Sequence, residues 1–217
     1  LSAVLLSLFL AGVGFGVPRT DYYILNMDGQ KAGNCVRSRV EADGKVTTTE
    51  KVDLTVSRFG MAISLVSTET CVETADGKPL AFESVQQMSG MATSLAGTID
   101  EGGNVKITSK SGGMEQQDTM QWASGALMAE GTRLLQLEKG FAPGTKYNLT
   151  VFVPSMLQSF PVEVTVGPSA GTKDGKKLYQ FTTAMQTGMG QIVSQSVADE
   201  EMNIVQSTIP MAGMMVE

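Results

Sequence analysis

The chain has 217 residues and a hydrophobic content of 42%, which is enough for one large β domain or two small ones. Its net charge of -6 argues against a nucleic-acid interface, which needs clustered Lys and Arg. The sequence contains no His, which excludes the usual general base, the commonest metal ligand and any Ser-His or Cys-His pair.

The first seventeen residues carry no charge and have the pattern of a signal peptide. An apolar core runs from Val4 to about Val13, and the small residues Gly14 and Gly16 follow it. We expect export to the periplasm or cell envelope of a bacterium, with cleavage near residues 14–18. A retained anchor is the alternative, because seventeen residues are at the short end of a membrane span. An initiator Met and a basic region are missing, so we expect the natural chain to begin further upstream.

Residues 18–217 repeat one pattern, in which an alternating apolar and polar run precedes a turn. The dipeptide Asp-Gly marks four turns, at residues 28–29, 43–44, 76–77 and 174–175. Gly supplies the positive φ that tight hairpins require. Alternation with a period of two is clear around Val52, Val105 and Val162. The pattern predicts a mainly β fold, an antiparallel meander that forms a curved open sheet or half-barrel.

One stretch, at about residues 124–138, has helical periodicity. Its Leu, Ala and Met residues form an apolar stripe that ends before Gly140, although Gly125 and Gly131 weaken the helix. A single amphipathic helix must bury its stripe, so we expect it to pack on the sheet. Residues 18–217 are predicted to form one β domain, which the segment 140–144 could divide into two meander halves. The segment 168–177 is predicted to be an exposed hairpin tip.

The two cysteines, Cys35 and Cys71, are predicted to be free and buried. Tight turns at residues 43–44 and near Gly60 would place them on two strands that flank a shared middle strand. Two strand spacings of about 4.8 Å separate their Cα atoms by roughly 9–10 Å, which is beyond the ~7 Å limit for a disulfide.

The sequence shows no catalytic or metal-binding constellation. The densest acidic run, Asp199-Glu200-Glu201, reads as a solvated turn, because consecutive residues of a strand point to opposite faces. Neither a phosphate-binding loop nor a dinucleotide fingerprint is present, and Gly188 and Gly190 are weak signals. We therefore predict no enzyme activity for this chain, no catalytic, metal or cofactor-binding residues and no cofactor. The residues of any ligand groove stay unassigned.

Several stretches resemble the N-terminal β region of exported bacterial transglutaminase-like proteins. The first is residues 22–33, where two Tyr begin a strand, Asp28-Gly29 makes a tight turn and Lys31-Ala32-Gly33 follows. Three further stretches agree in order, at residues 54–60, 73–82 and 197–211. The resemblance implies an all-β region that precedes a papain-like catalytic domain. The chain stops at Glu217, neither cysteine matches the family's nucleophile, and so no active site carries over.

Three functions stay open. The first is a non-catalytic β domain accessory to a transglutaminase-like or cysteine-protease-like catalytic domain outside this chain. The second is a periplasmic half-barrel that carries a lipid or another apolar ligand on a concave face lined by Met and aliphatic residues. The third is a structural envelope domain that pairs its edge strands with a partner protein.

Overall fold

The computed structural model of the chain describes residues 18–58, 61–88, 90–188, 190–209 and 214–217. The expected signal peptide at residues 1–17 and the turn at Gly60 lie outside the described residues. No helix in the described ranges is long and apolar enough to cross a membrane.

The described residues form fifteen strands, one α-helix and a short 3₁₀ helix. In chain order these are β1 (Arg19–Met27), β2 (Gln30–Ala42), β3 (Lys45–Arg58), β4 (Met61–Thr74), β5 (Pro79–Met88), β6 (Met91–Ile99), β7 (Asn104–Ser111), β8 (Met114–Gln121), β9 (Ala126–Leu127), α1 (Ala129–Lys139), β10 (Lys146–Val153), the 3₁₀ helix (Pro154–Met156), β11 (Gln158–Lys173), β12 (Lys176–Thr187), β13 (Gly190–Asp199), β14 (Ile204–Ile209) and β15 (Met214–Val216).

All fifteen strands belong to one sheet. Strands β8 to β1 lie side by side in reverse chain order, and β15 to β9 continue on the other side of β1. The pairs are antiparallel except for the short parallel contact of β9 with β10. The two runs join where Leu25 of β1 pairs with Val216 of β15. The predicted fold class is confirmed: the described part of the chain is mainly β, with one α-helix and a single, almost entirely antiparallel sheet that stays open at β8 and β9.

Tight turns set the register of the long hairpins. Asp43 and Gly44 both have positive φ, as do the Asp-Gly pairs at 28–29 and 174–175, which is the backbone of a type I′ turn. Residues 168–177 form a mostly exposed hairpin tip, as predicted, but only residues 174–175 lie outside the strands. Strand β11 continues to Lys173, and the register shifts next to Ser169 absorb the nearby Gly and Pro residues as bulges.

The predicted helix exists, but it begins later than expected. Residues 126–127 form β9 and pair with β10, so α1 starts at Ala129 instead of about 124. The helix ends at Gly140, whose φ of 73° lets its N–H bond the carbonyls of Gln136 and Leu137. Close packing requires a glycine at position 131, which the sequence did not show. A Cβ there would lie 2.9 Å from the carbonyl oxygen of Gly77, in the β4–β5 turn.

Side-chain packing brings the two ends of the open sheet together. One buried cluster joins Phe82 of β5 and Val105 of β7 to Ala126 of β9 and Phe152 of β10. The rings of Phe82 and Phe152 lie 4.9 Å apart between centroids, and the ring of Trp122 lies 4.6 Å from Phe152. The sheet therefore curls into a barrel-like enclosure that is completed by apolar contacts and not by a strand ladder.

The cysteine prediction is confirmed, because Cys35 and Cys71 are free and buried. Cys35 pairs with Val52 of β3, whereas Cys71 pairs with Thr48 on the other side of the same strand. The two thiols are thus separated by a whole strand and by an offset along it. Burial raises the pKa of Cys35 to about 11 and that of Cys71 to about 12.

Candidate functional site

The inner face of the curled sheet encloses an apolar compartment of about 430 Å³. It lies where the two strand runs meet, and strands β1, β2, β3, β12, β14 and β15 contribute to its walls. Its apolar lining includes Tyr23, Leu25, Val52, Leu54, Phe181 and Val216. These side chains lie on alternate strand positions, so the two-residue period of the sequence builds this wall.

A second cavity, the polar compartment, has a volume of about 380 Å³ and lies between the sheet and α1. Its charged lining consists of four arginines and four acidic residues, namely Arg19, Arg37, Arg39, Arg133, Asp21, Glu50, Glu69 and Glu130. The two compartments share five lining residues, namely Arg37, Glu50, Gln136, Met202 and Ile204. They therefore adjoin, and the charged side chains of the interior lie mostly in the polar compartment.

Glu130 is the centre of the charge network in the polar compartment. Its side chain is only 1% exposed, and it accepts two hydrogen bonds from Arg39 of β2 and two from Arg133 of α1 at 2.5–3.0 Å. Burial alone would raise the pKa of the Glu130 carboxyl. The hydrogen bonds from Arg133 and Arg39 outweigh burial and lower that pKa to about 2. Glu130 therefore fixes the helix to the sheet as a buried carboxylate.

Glu73 of β4 caps the N-terminus of α1. Its carboxylate accepts the backbone N–H of Glu130 at 2.6 Å and that of Gly131 at 2.9 Å. The residue before the helix, Met128, provides no side-chain cap, so a distant strand satisfies the first helical donors. Burial raises the pKa of the Glu73 carboxyl, although the two amide groups favour its charged form.

An ion pair marks the boundary between the compartments. Arg37 of β2 donates from Nε to Oε2 of Glu50, on the neighbouring strand β3, at 2.9 Å. Arg37 and Glu50 line both cavities. The sequence contains a signal for this ion pair that was not among the predictions. Arg37 and Arg39 follow the buried Cys35 at intervals of two, which places both arginines on the inner face of β2.

The acidic run at residues 199–201 lies in the β13–β14 turn, as predicted, but it is not simply solvated. Asp199 is buried, and its Oδ1 accepts the backbone N–H of Asn203 at 2.8 Å and that of Glu201 at 3.0 Å. Lys176 bridges to Asp199 at 3.3 Å. The run therefore stabilises a turn, and its carboxylates do not converge on a cavity.

The methionines are divided between the interior and the surface. Met128 and Met202 are buried next to the compartments, and Met214 lines the apolar one. Other methionines, at the hairpin tips, are exposed. The interior lining is therefore mostly aliphatic and aromatic, and Met contributes less to it than expected. Within the described residues, no cluster of three or more Cys, Asp or Glu could hold a metal ion.

The fold has a counterpart among solved structures. A crystal structure of a β-barrel-like protein from Brucella abortus, of the domain of unknown function DUF1849, superposes with a TM-score of 0.68 at 16% sequence identity. The match covers 92% of this chain and 94% of the other. No protein-family model and no curated protein matches the sequence. At this identity the likeness shows a common barrel-like fold.

The predicted relationship to transglutaminase-like proteins is wrong. The structural match over 92% of this chain is to a barrel-like domain of unknown function, and no transglutaminase-like link is found. The matched stretches were turn-and-strand patterns, such as the Asp-Gly turns, which any antiparallel meander with tight hairpins contains. The predicted accessory role beside a catalytic domain depended on this relationship and therefore has no support.

Proposed function

We propose that this protein is an exported, non-catalytic half-barrel that binds a lipid or another apolar ligand in its interior. The observation that carries the proposal is the apolar compartment of about 430 Å³ next to the polar compartment of about 380 Å³. Both volumes fall within the ~300–1,000 Å³ typical of small-molecule sites. Export is part of the proposal and rests on the uncharged segment at residues 1–17.

The chemistry of the interior supports a binding role over a catalytic one. The thiols of Cys35 and Cys71 have raised pKa values, so they stay protonated and weakly nucleophilic at neutral pH. The carboxylate of Glu130 is occupied by two arginines, and that of Glu73 by the helix N-terminus. These groups hold the enclosure together, and most of the remaining lining of the apolar compartment is aliphatic or aromatic.

Native mass spectrometry tests the proposal directly. The delipidated protein is offered a bacterial lipid extract, and bound lipid is identified after dissociation. We expect one lipid to be retained per chain. Two variants of neighbouring residues in β14 test where the lipid binds. Ser207 faces the apolar compartment, whereas Thr208 faces the opposite surface of the sheet.

Ser207→Phe fills the apolar compartment and should reduce lipid binding at least tenfold, because the acyl chain and the ring compete for the same volume. Thr208→Phe adds the same ring to the outer face and should bind as the wild type does. Equal binding by both variants, or no lipid on the folded wild-type protein, would contradict an interior lipid site.

A further inference from the structure

The arginines of this protein are concentrated in one cavity. The chain has five arginines, and four of them, Arg19, Arg37, Arg39 and Arg133, line the polar compartment. None of the described residues that line it is a lysine. A guanidinium presents a planar fork of N–H groups that matches the oxygens of a carboxylate or phosphate, whereas an ammonium acts as a point charge. The choice of cation therefore suits carboxylate or phosphate oxygens, and four carboxylates of the protein itself line the same cavity, namely Asp21, Glu50, Glu69 and Glu130.

Three of these arginines are held in place and still have unused donors. Arg39 and Arg133 contact Glu130 through Nε and Nη2, and Arg37 contacts Glu50 through the same two atoms. Among the described residues, none accepts a hydrogen bond from Nη1 of these three arginines. The carboxylates thus orient the guanidinium groups and leave one NH₂ of each available to a further acceptor.

A buried hydroxyl in the same cavity also lacks a partner. Thr132 of α1 lines the polar compartment, and its Oγ1 is buried with no hydrogen bond in the described structure. Such a group costs free energy unless a ligand or water completes it.

We propose that the ligand carries an oxyanion head group, a carboxylate or a phosphate, which binds to Arg37, Arg39 and Arg133 in the polar compartment while its acyl chain occupies the apolar compartment. This inference rests on the proposed function, because it assumes an apolar ligand in the interior. It adds the class of head group and the direction in which the ligand lies. The alternative is that the ion pairs of Glu130 serve only to attach α1 to the sheet and bind no ligand.

The experiment compares three ligands with the same sixteen-carbon chain: palmitate, palmitoyl lysophosphatidate and monopalmitoylglycerol. Dissociation constants are measured by isothermal titration with the delipidated protein. We expect one or both anionic ligands to bind at least about tenfold more tightly than the uncharged glyceride, as charge-assisted hydrogen bonds imply. The stronger of the two anions identifies the head group as carboxylate or phosphate.

Arg133→Gln is the diagnostic variant, because it removes one guanidinium and leaves Glu130 paired with Arg39. It should reduce the preference for the anion about tenfold and leave the affinity for the glyceride unchanged. Lys139→Gln lies on the same helix outside the cavity and should preserve the preference. If Arg133→Gln does not fold, Arg37→Gln at the boundary ion pair tests the same point, since both partners are partly exposed.

The outcomes separate the two proposals. Equal affinity for all three ligands, or an unchanged preference in folded Arg133→Gln, would overturn the head-group inference and leave the apolar-ligand function standing. Failure of all three ligands to bind the folded protein would overturn both.

Discussion

Replacing Glu130 by Gln should remove the part of the acid sensitivity of this protein that comes from Glu130. The pKa of Glu130 in the folded state is about 2, compared with 4.5 for the unperturbed group. A carboxyl with a lowered folded pKa stabilises the native state above its unfolded pKa, and this stabilisation is lost as pH falls towards the folded pKa. The pKa difference corresponds to about 3 kcal/mol of unfolding free energy. The wild type should therefore lose about this amount between roughly pH 5 and pH 2 through Glu130 alone.

Urea unfolding followed by circular dichroism at a series of pH values measures the effect. Glu130→Gln should be about 3 kcal/mol less stable than the wild type at pH 7, because Arg39 and Arg133 lose their shared partner. The difference should shrink towards zero near pH 2. Glu138→Gln, on the exposed side of the same helix, serves as the control and should follow the wild type. If the difference in unfolding free energy between the wild type and Glu130→Gln stays constant with pH, Glu130 is not a buried, ionised carboxylate.

Two further predictions concern packing and thiol chemistry. Gly131→Ala should lower the free energy of unfolding by about 1–2 kcal/mol, as measured by thermal denaturation. The added Cβ would lie 2.9 Å from the Gly77 carbonyl oxygen, and the cost of this overpacking exceeds the ~1 kcal/mol gain in helix propensity. A stabilised variant would show that the β4–β5 turn is not pressed against α1. Cys35 and Cys71 should react with a thiol reagent at pH 8 at least a hundredfold more slowly in the folded than in the urea-unfolded protein, because burial raises both pKa values. Rapid modification of two thiols in the native protein would contradict their burial.

The beginning of α1 shows where local sequence information ended. Residues 124–128 have helical periodicity, but Ala126 and Leu127 pair with Thr150 and Val151 of β10 instead. The helix then starts under the carboxylate of Glu73, which is 57 residues away from Glu130 in sequence. No pattern within the helix segment could predict a cap supplied by another strand.

The sequence by itself determined the parts that depend on neighbours along the chain. Asp-Gly pairs determined the tight turns, because few residues other than Gly and Asp adopt positive φ readily. Alternation at positions such as Val105 and Val164 determined which strand face is buried. Only the tertiary structure decided where the sheet curls, that α1 closes over it and that four arginines share one cavity. These features depend on contacts between residues far apart in the chain, whose geometry no local period contains.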